Sequence, residues 1–220
     1  MIFNFLATYF NIIMLSIWAI FFALVVARAF RLNAVKNISY QCLVIGALAI
    51  HLLYGIFATA LQYIAFGSSE IGKVLTTIAL PKEVPFPAFL EWMRPVFDGA
   101  HGYFAFYVFQ HFFLSTIVLF FITALFVGFF KFYKKQRPAL FKEGDISLIA
   151  LAFLISGYLG SIILAPLALV FASVVTIFRT MKKDMTPVDL SLVFLFMAPV
   201  AFIFAVPLLA IFGLYPLLKL

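Results

Sequence analysis

Two aspartates are the acidic residues of this sequence best placed to do chemistry together. Asp145 directly precedes the apolar run 146–161, and Asp189 lies at the start of the last apolar run, 188–218. A pair of carboxyl groups can hydrolyse a peptide bond when one is protonated and the other, as a base, activates water. Acids at helix N-termini also have a purely structural role, because they interact favourably with the helix dipole and accept backbone hydrogen bonds. Asp145 and Asp189 are therefore candidate catalytic residues, with helix capping as the alternative.

Two histidines form a second candidate site. His51 and His111 each lie near the middle of an apolar run, 40–66 and 101–130 respectively. If these runs are antiparallel helices, both imidazoles fall near the same depth, where they could ligate the iron of haem b. Hydrogen bonds to glutamines of the same helices are the structural alternative. The single cysteine excludes an intrachain disulfide and a cysteine-based metal cluster. We predict no metal site, and no cofactor apart from this haem alternative.

The elements that must position these residues are apolar helices. Hydrophobic residues make up 66% of the 220 residues and charged residues 10%, whereas soluble domains are roughly half apolar and a quarter charged. Runs of about 20 apolar residues span a bilayer as helices, and a β-barrel would need short alternating segments instead. The sequence therefore predicts an all-α fold, a polytopic integral membrane helical bundle forming a single membrane domain over residues 1–220. We predict about six transmembrane helices, over 3–27, 40–66, 101–130, 146–161, 163–178 and 188–218.

The fourth and fifth runs are short and are separated only by a bend predicted near Gly160. Together they could instead form one broken or re-entrant pair. Both arrangements return the chain to the side of the membrane on which it entered, so the sequence leaves them open.

The basic residues predict how the helices are oriented. Eleven of the fifteen lie at or just beyond the ends of the first, third and fifth runs, whereas the segment 67–100 carries a net charge of −1. Basic clusters favour the cytoplasmic side, which places both termini and 67–100 outside. The prolines and Trp92 of that segment are typical of an interfacial cap. Basic residues placed between apolar runs indicate a lipid bilayer as partner and no nucleic acid, and we predict a multi-pass protein of a cell membrane, the prokaryotic plasma membrane.

The last third of the chain, residues 140 to about 205, resembles the prepilin peptidases, membrane aspartyl proteases that trim pilin leaders at the cytoplasmic face. The stretch "EGDISLIALAFLISGYLGSIILAPLALVFASVVTIFR" is similar to the family's Gly-x-Gly-Asp motif followed by a short helix, a glycine-containing bend and a further helix. The later "TPVDLSLVFLFMAPV" stands where the family has a proline-rich entry into its last helices. The resemblance implies a peptidase that acts on pilin-like peptides, with Asp145 as one catalytic acid.

The chain departs from that family at the residues that matter for catalysis. Lys142 replaces the first glycine of the motif, and the family's cysteine-based element is absent. The family places its second aspartate at the cytoplasmic end of an earlier helix. The only acid near the earlier helices is Asp98, which the charge pattern puts outside, about 30 Å from Asp145 across the apolar core. Asp189 lies on the side of Asp145, but pairing these two is not the family's arrangement.

Three functions follow from these observations. The first is a non-catalytic membrane scaffold or partner subunit, in pilus assembly or envelope biogenesis, with other membrane subunits as partners. The second is an aspartyl membrane peptidase that uses Asp145 with Asp189. The third is a haem-binding redox subunit that uses His51 and His111.

Overall fold

A computed structural model describes residues 2–86, 88–138, 141–183, 186 and 188–218 of the chain. The α-helices are α1 (Ile2–Ala29), α2 (Tyr40–Gly67), α3 (Glu70–Leu75), α4 (Gly102–Val108), α5 (Leu114–Gln136), α6 (Asp145–Met181), α7 (Leu190–Ile211) and α8 (Tyr215–Leu218). A 3-10 helix, Ala88–Phe97, precedes α4, and a π-helical turn, Phe109–Phe113, joins α4 to α5. The described residues include no strand, so the prediction of an all-α fold is confirmed.

Among the residues that the structure describes, five helical stretches are long and apolar enough to cross a membrane. They are Tyr9–Ala29, Tyr40–Gly67, Gly102–Gln136, Asp145–Met181 and Leu190–Ile211. The chain thus has the length and composition of a multi-pass helical membrane protein. The prediction of six membrane-spanning helices is not confirmed, because the fourth and fifth predicted runs both fall within the one candidate span Asp145–Met181.

Gly157 breaks α6 and turns it back. A straight helix of its 37 residues would be about 55 Å long. However, α6 begins beside the start of α7, as described below. The seven residues between Met181 and Asp189 can span at most about 28 Å. Both facts hold only if the chain reverses within α6. Gly157 provides the turn with φ 69° and ψ 176°, a backbone region that is essentially restricted to glycine. The bend predicted near Gly160 therefore lies three residues earlier.

The described residues cluster into two compact units, and the candidate acids belong to the unit within Ile12–Ile50 and Thr116–Lys219. Its core surrounds the first arm of α6, where every residue from Leu148 to Ser156 is buried. Phe153 stacks on Phe126 of α5 with ring centroids 4.4 Å apart, and it also contacts Phe194 of α7 at 5.8 Å. These ring contacts pack α5, α6 and α7 together near the starts of α6 and α7, where Asp145 and Asp189 lie.

The other unit, within Met1–Asn11 and His51–Ser115, contains the segment predicted as an interfacial cap. Buried Leu80, Phe97 and Phe106 form its small core. Arg94 closes the loop over this core, since its guanidinium donates to the Val84 carbonyl at 2.9 Å. The segment is therefore ordered by its own contacts.

Candidate functional site

Asp145 is the first residue of α6 and is buried, with 8% of its surface exposed. The chain enters α6 through Gly144, whose φ of 92° lies in the left-handed region that favours glycine. This turn brings the backbone N–H of Lys142 to the carboxylate of Asp145, with N and Oδ2 2.7 Å apart. A buried carboxylate needs such donors, because burying an unpaired charge is costly. Asp145 therefore closes the loop that precedes α6.

Asp189 is the N-cap of α7. Its Oδ1 accepts from the backbone N–H of Leu192 at 3.4 Å, the usual contact of a helix-capping acid. Its Oδ2 accepts from the ammonium group of Lys142 at 2.8 Å. Asp189 thus joins the start of α7 to the loop before α6, as the capping interpretation of the sequence predicts.

Ser191 links the two acids. Its buried hydroxyl oxygen lies 3.0 Å from Oδ1 of Asp145 and 2.8 Å from Oδ1 of Asp189. The two carboxylate oxygens are therefore no farther apart than the sum of these distances, 5.8 Å. One hydroxyl has one proton to donate, so the two carboxylates compete for a single donor. We call the group formed by Lys142, Asp145, Asp189 and Ser191 the carboxyl clasp.

The ion pair within the carboxyl clasp shifts the pKa of both partners. Burial of Asp189 raises its pKa, but hydrogen bonds from Lys142 and Ser191 outweigh burial and hold the pKa below its ordinary value of 3.8. Hydrogen bonding and charge attraction from Asp189 raise the pKa of Lys142 above its ordinary 10.5. Asp189 is therefore ionised at neutral pH.

Peptide hydrolysis by two carboxyl groups uses a water that both of them hold. In such a pair the nucleophilic water lies between the carboxyls, and one of them is protonated. Here the oxygen that contacts both carboxyls is the hydroxyl of Ser191, which is part of α7. What the arrangement does well is tie together the starts of two helices and the loop before one of them.

Ser191 was not identified from the sequence. The only available signal was a serine two residues after a predicted N-cap, which is common at helix starts. Its contact with Asp145 depends on α6 and α7 packing side by side, and no local pattern predicts that.

The histidine pair remains a prediction. His111 lies on the π-helical turn, with its ring exposed, stacked on Tyr107 at 4.1 Å and hydrogen-bonded through Nδ1 to the Tyr107 carbonyl at 2.9 Å. Such turns occur frequently at functional sites. His51 is partly buried in α2. Across the described part of the chain, no cluster of three or more His, Cys, Asp or Glu side chains is arranged to hold a metal ion.

The fold and the carboxyl clasp together define a helical protein of the multi-pass membrane class with paired acids at the starts of two helices. Comparisons with models of protein families, with curated proteins and with solved structures find no match.

Proposed function

We propose that this chain is a non-catalytic integral membrane scaffold or partner subunit, working in pilus assembly or envelope biogenesis. The observation that carries the proposal is the Ser191 oxygen between the two carboxyls. A side-chain hydroxyl that bonds both acids uses one oxygen of each carboxyl for a contact between helices. The acids instead hold the starts of α6 and α7 in register.

Lys142 supports the same proposal from another direction. It is the residue that replaces the first glycine of the prepilin peptidase motif, and it is also the ion-pair partner of Asp189. The departure from the motif thus belongs to a contact that stabilises the folded chain. A relative of those peptidases that has exchanged catalysis for a fixed helix junction would have this pattern.

The proposed membrane arrangement follows from the basic residues and from the turn at Gly157. The first arm of α6, residues 145–156, is about 18 Å long, too short to cross a hydrocarbon core of about 30 Å. We propose that α6 enters the membrane and returns to the cytoplasmic face, so that the basic residues flanking it stay inside. Both termini and the segment 67–100 are then outside, in a prokaryotic plasma membrane.

The proposal is tested with a variant that removes one carboxylate, while the amount of folded protein is measured separately. Asp145→Asn keeps the size of the side chain and its capacity to accept from the Lys142 N–H, but it removes the carboxylate. Cells expressing only this variant are compared with cells expressing the native chain, with the protein and its associated membrane complex quantified on native gels. A scaffold tolerates the change in proportion to the amount of folded protein. Loss of the complex at a normal level of folded protein would contradict a non-catalytic role.

An aspartyl peptidase that uses Asp145 and Asp189 is the second candidate. The observation in its favour is that the two carboxyls, though far apart in sequence, lie within 5.8 Å. This candidate predicts cleavage of pilin-like leader peptides by the purified chain, abolished by Asp145→Asn and by Asp189→Asn. Cleavage that appears only in Ser191→Gly would instead indicate an acid pair that the serine has closed.

A haem-binding redox subunit that uses His51 and His111 is the third candidate. The exposed His111 ring on its π-helical turn favours it. The chain purified from haem-replete membranes would then have a Soret band that His51→Ala and His111→Ala each remove. A preparation without this band would exclude the haem function.

A further inference from the structure

Two cavities of contrasting chemistry adjoin each other beside the carboxyl clasp. The first, which we call the basic cleft, has a volume of about 600 Å³ and is lined by residues that include Arg28, Arg31, Lys36 and Glu143. The second, the apolar groove, has a volume of about 700 Å³. Gln41 and Ser147 line both, so the two cavities adjoin each other at these residues.

The basic cleft is built for an anion. Among the described residues, three cationic side chains and one acid, Glu143, line it. Arg28 is held in place, because its Nε donates to the Ile38 carbonyl at 2.6 Å and its guanidinium lies over the Tyr40 ring at 4.7 Å. Arg31 and Lys36 are exposed, and within the described part of the chain neither forms a salt bridge. The fixed arginine and two uncompensated cations give the cleft a net positive charge.

The apolar groove is formed by α2, α5 and α6 and has a different character. Its walls are mainly aliphatic and aromatic side chains such as Val44, Leu48, Phe120 and Leu154. From Lys131 to Phe120 the groove follows α5 for eleven residues, about 16 Å. That length is close to half of the hydrocarbon core of a bilayer, about 15 Å. The groove therefore has the length of one acyl chain within one leaflet.

We propose that the basic cleft and the apolar groove together bind one anionic phospholipid, with its phosphate among Arg28, Arg31 and Lys36 and one acyl chain against α5. A cationic cavity that adjoins an apolar one of acyl-chain length fits this molecule. A soluble phosphate would use only the cleft. A basic peptide would be repelled by it.

Binding of the lipid headgroup in the basic cleft is tested with the full-length chain in detergent, by native mass spectrometry. The probes are phosphatidylglycerol and phosphatidylcholine with identical acyl chains. The native chain retains phosphatidylglycerol preferentially, and the double variant Arg31→Gln, Lys36→Gln binds it roughly 25-fold more weakly, at about a factor of five for each cation. The matched control Lys182→Gln, Lys183→Gln removes the same charge from exposed lysines outside the cleft and leaves the affinity unchanged.

Binding of the acyl chain in the apolar groove is tested with Ala124→Trp, which fills the groove at an exposed position of α5. Its control is Leu125→Trp, at a neighbouring exposed residue outside the groove. Only the first variant should lose the retained lipid, with thermal unfolding confirming that both are folded. Equal retention of the two lipids, or no loss in either cleft or groove variant, would overturn the proposal. Displacement of phosphatidylglycerol by millimolar inorganic phosphate would also overturn it, because the cleft would then be a site for a soluble anion.

Discussion

Lys142 reaches from the loop before α6 to Asp189 at the start of α7, and its ammonium nitrogen lies 2.8 Å from the carboxylate. The backbone N–H of the same lysine donates to Asp145. One residue therefore contacts both acids, by its main chain and by its side chain. This double contact holds the two helix starts together. The carboxyl clasp can therefore be tested by changing single residues.

Ser191→Ala is expected to destabilise the protein. The change removes the donor shared by the two carboxylates and leaves the buried Asp145 with one contact fewer, at a cost of roughly 1–3 kcal/mol. The free energy of unfolding in detergent measures the effect. Ser173→Ala is the control, because that hydroxyl only returns to the carbonyl of its own helix at an exposed position. Equal stability of both variants would show that the serine bridge contributes nothing.

Stability is expected to depend on the Lys142–Asp189 pair at both ends of the pH scale. The pKa of Asp189 is lowered in the folded state, so its stabilisation is present above its ordinary value of 3.8 and is lost as the pH falls through the folded pKa. The pKa of Lys142 is raised, so its stabilisation is complete below 10.5 and is lost as the pH rises through the folded pKa. Unfolding midpoints measured from acid to alkaline pH report both losses.

Lys142→Gln should change that pH profile. Without the ammonium group, burial of Asp189 raises its pKa against weaker opposition, so the stabilisation by this acid at neutral pH falls and the acid loss becomes shallower. The alkaline loss due to this lysine disappears. Lys182→Gln, which removes an exposed charge elsewhere, should keep the native profile. Identical profiles for Lys142→Gln and the native chain would contradict the assigned ion pair.

Gly144→Ala is expected to lower the free energy of unfolding more than an ordinary glycine substitution does. A side chain at φ 92° is strained by about 1–2 kcal/mol, and its Cβ would lie 2.6 Å from the Tyr40 ring. Turning that ring away would also take it from beneath Arg28. Gly128→Ala is the matched control, since its Cβ meets nothing within 4 Å and alanine favours a helix by about 0.5–1 kcal/mol. The two variants should therefore change the unfolding free energy in opposite directions.

The turn at Gly157 predicts which ends of α6 face the same side of the membrane. After Cys42 is replaced by serine, single cysteines at Glu143 and Lys182 should react with an impermeant maleimide from the same side. A cysteine at Phe212, beyond the far end of α7, should react from the other side. Labelling of Glu143 and Lys182 from opposite sides would show that α6 crosses the membrane once without returning.

The sequence by itself determined the class of this protein and offered the capping role that Asp189 has. Apolar runs of bilayer length leave a chain no soluble fold, because such runs need lipid or protein around them. An aspartate before an apolar run is likewise a local signal, and Asp189 does cap its helix. The number of crossings did not follow from the sequence. A glycine-containing bend has the same sequence pattern whether it kinks one helix or joins two.

The tertiary structure alone decided that Asp145 and Asp189 meet, and what lies between them. Their proximity depends on the reversal at Gly157 and on α7 packing along the first arm of α6, both of which bring together residues far apart in sequence. Ser191 bonds both carboxyls only because that packing sets its hydroxyl within 3.0 Å of Asp145. Residue type and spacing can identify a pair of acids, but the atom that separates them is set by how helices pack, and that packing is a property of the whole chain.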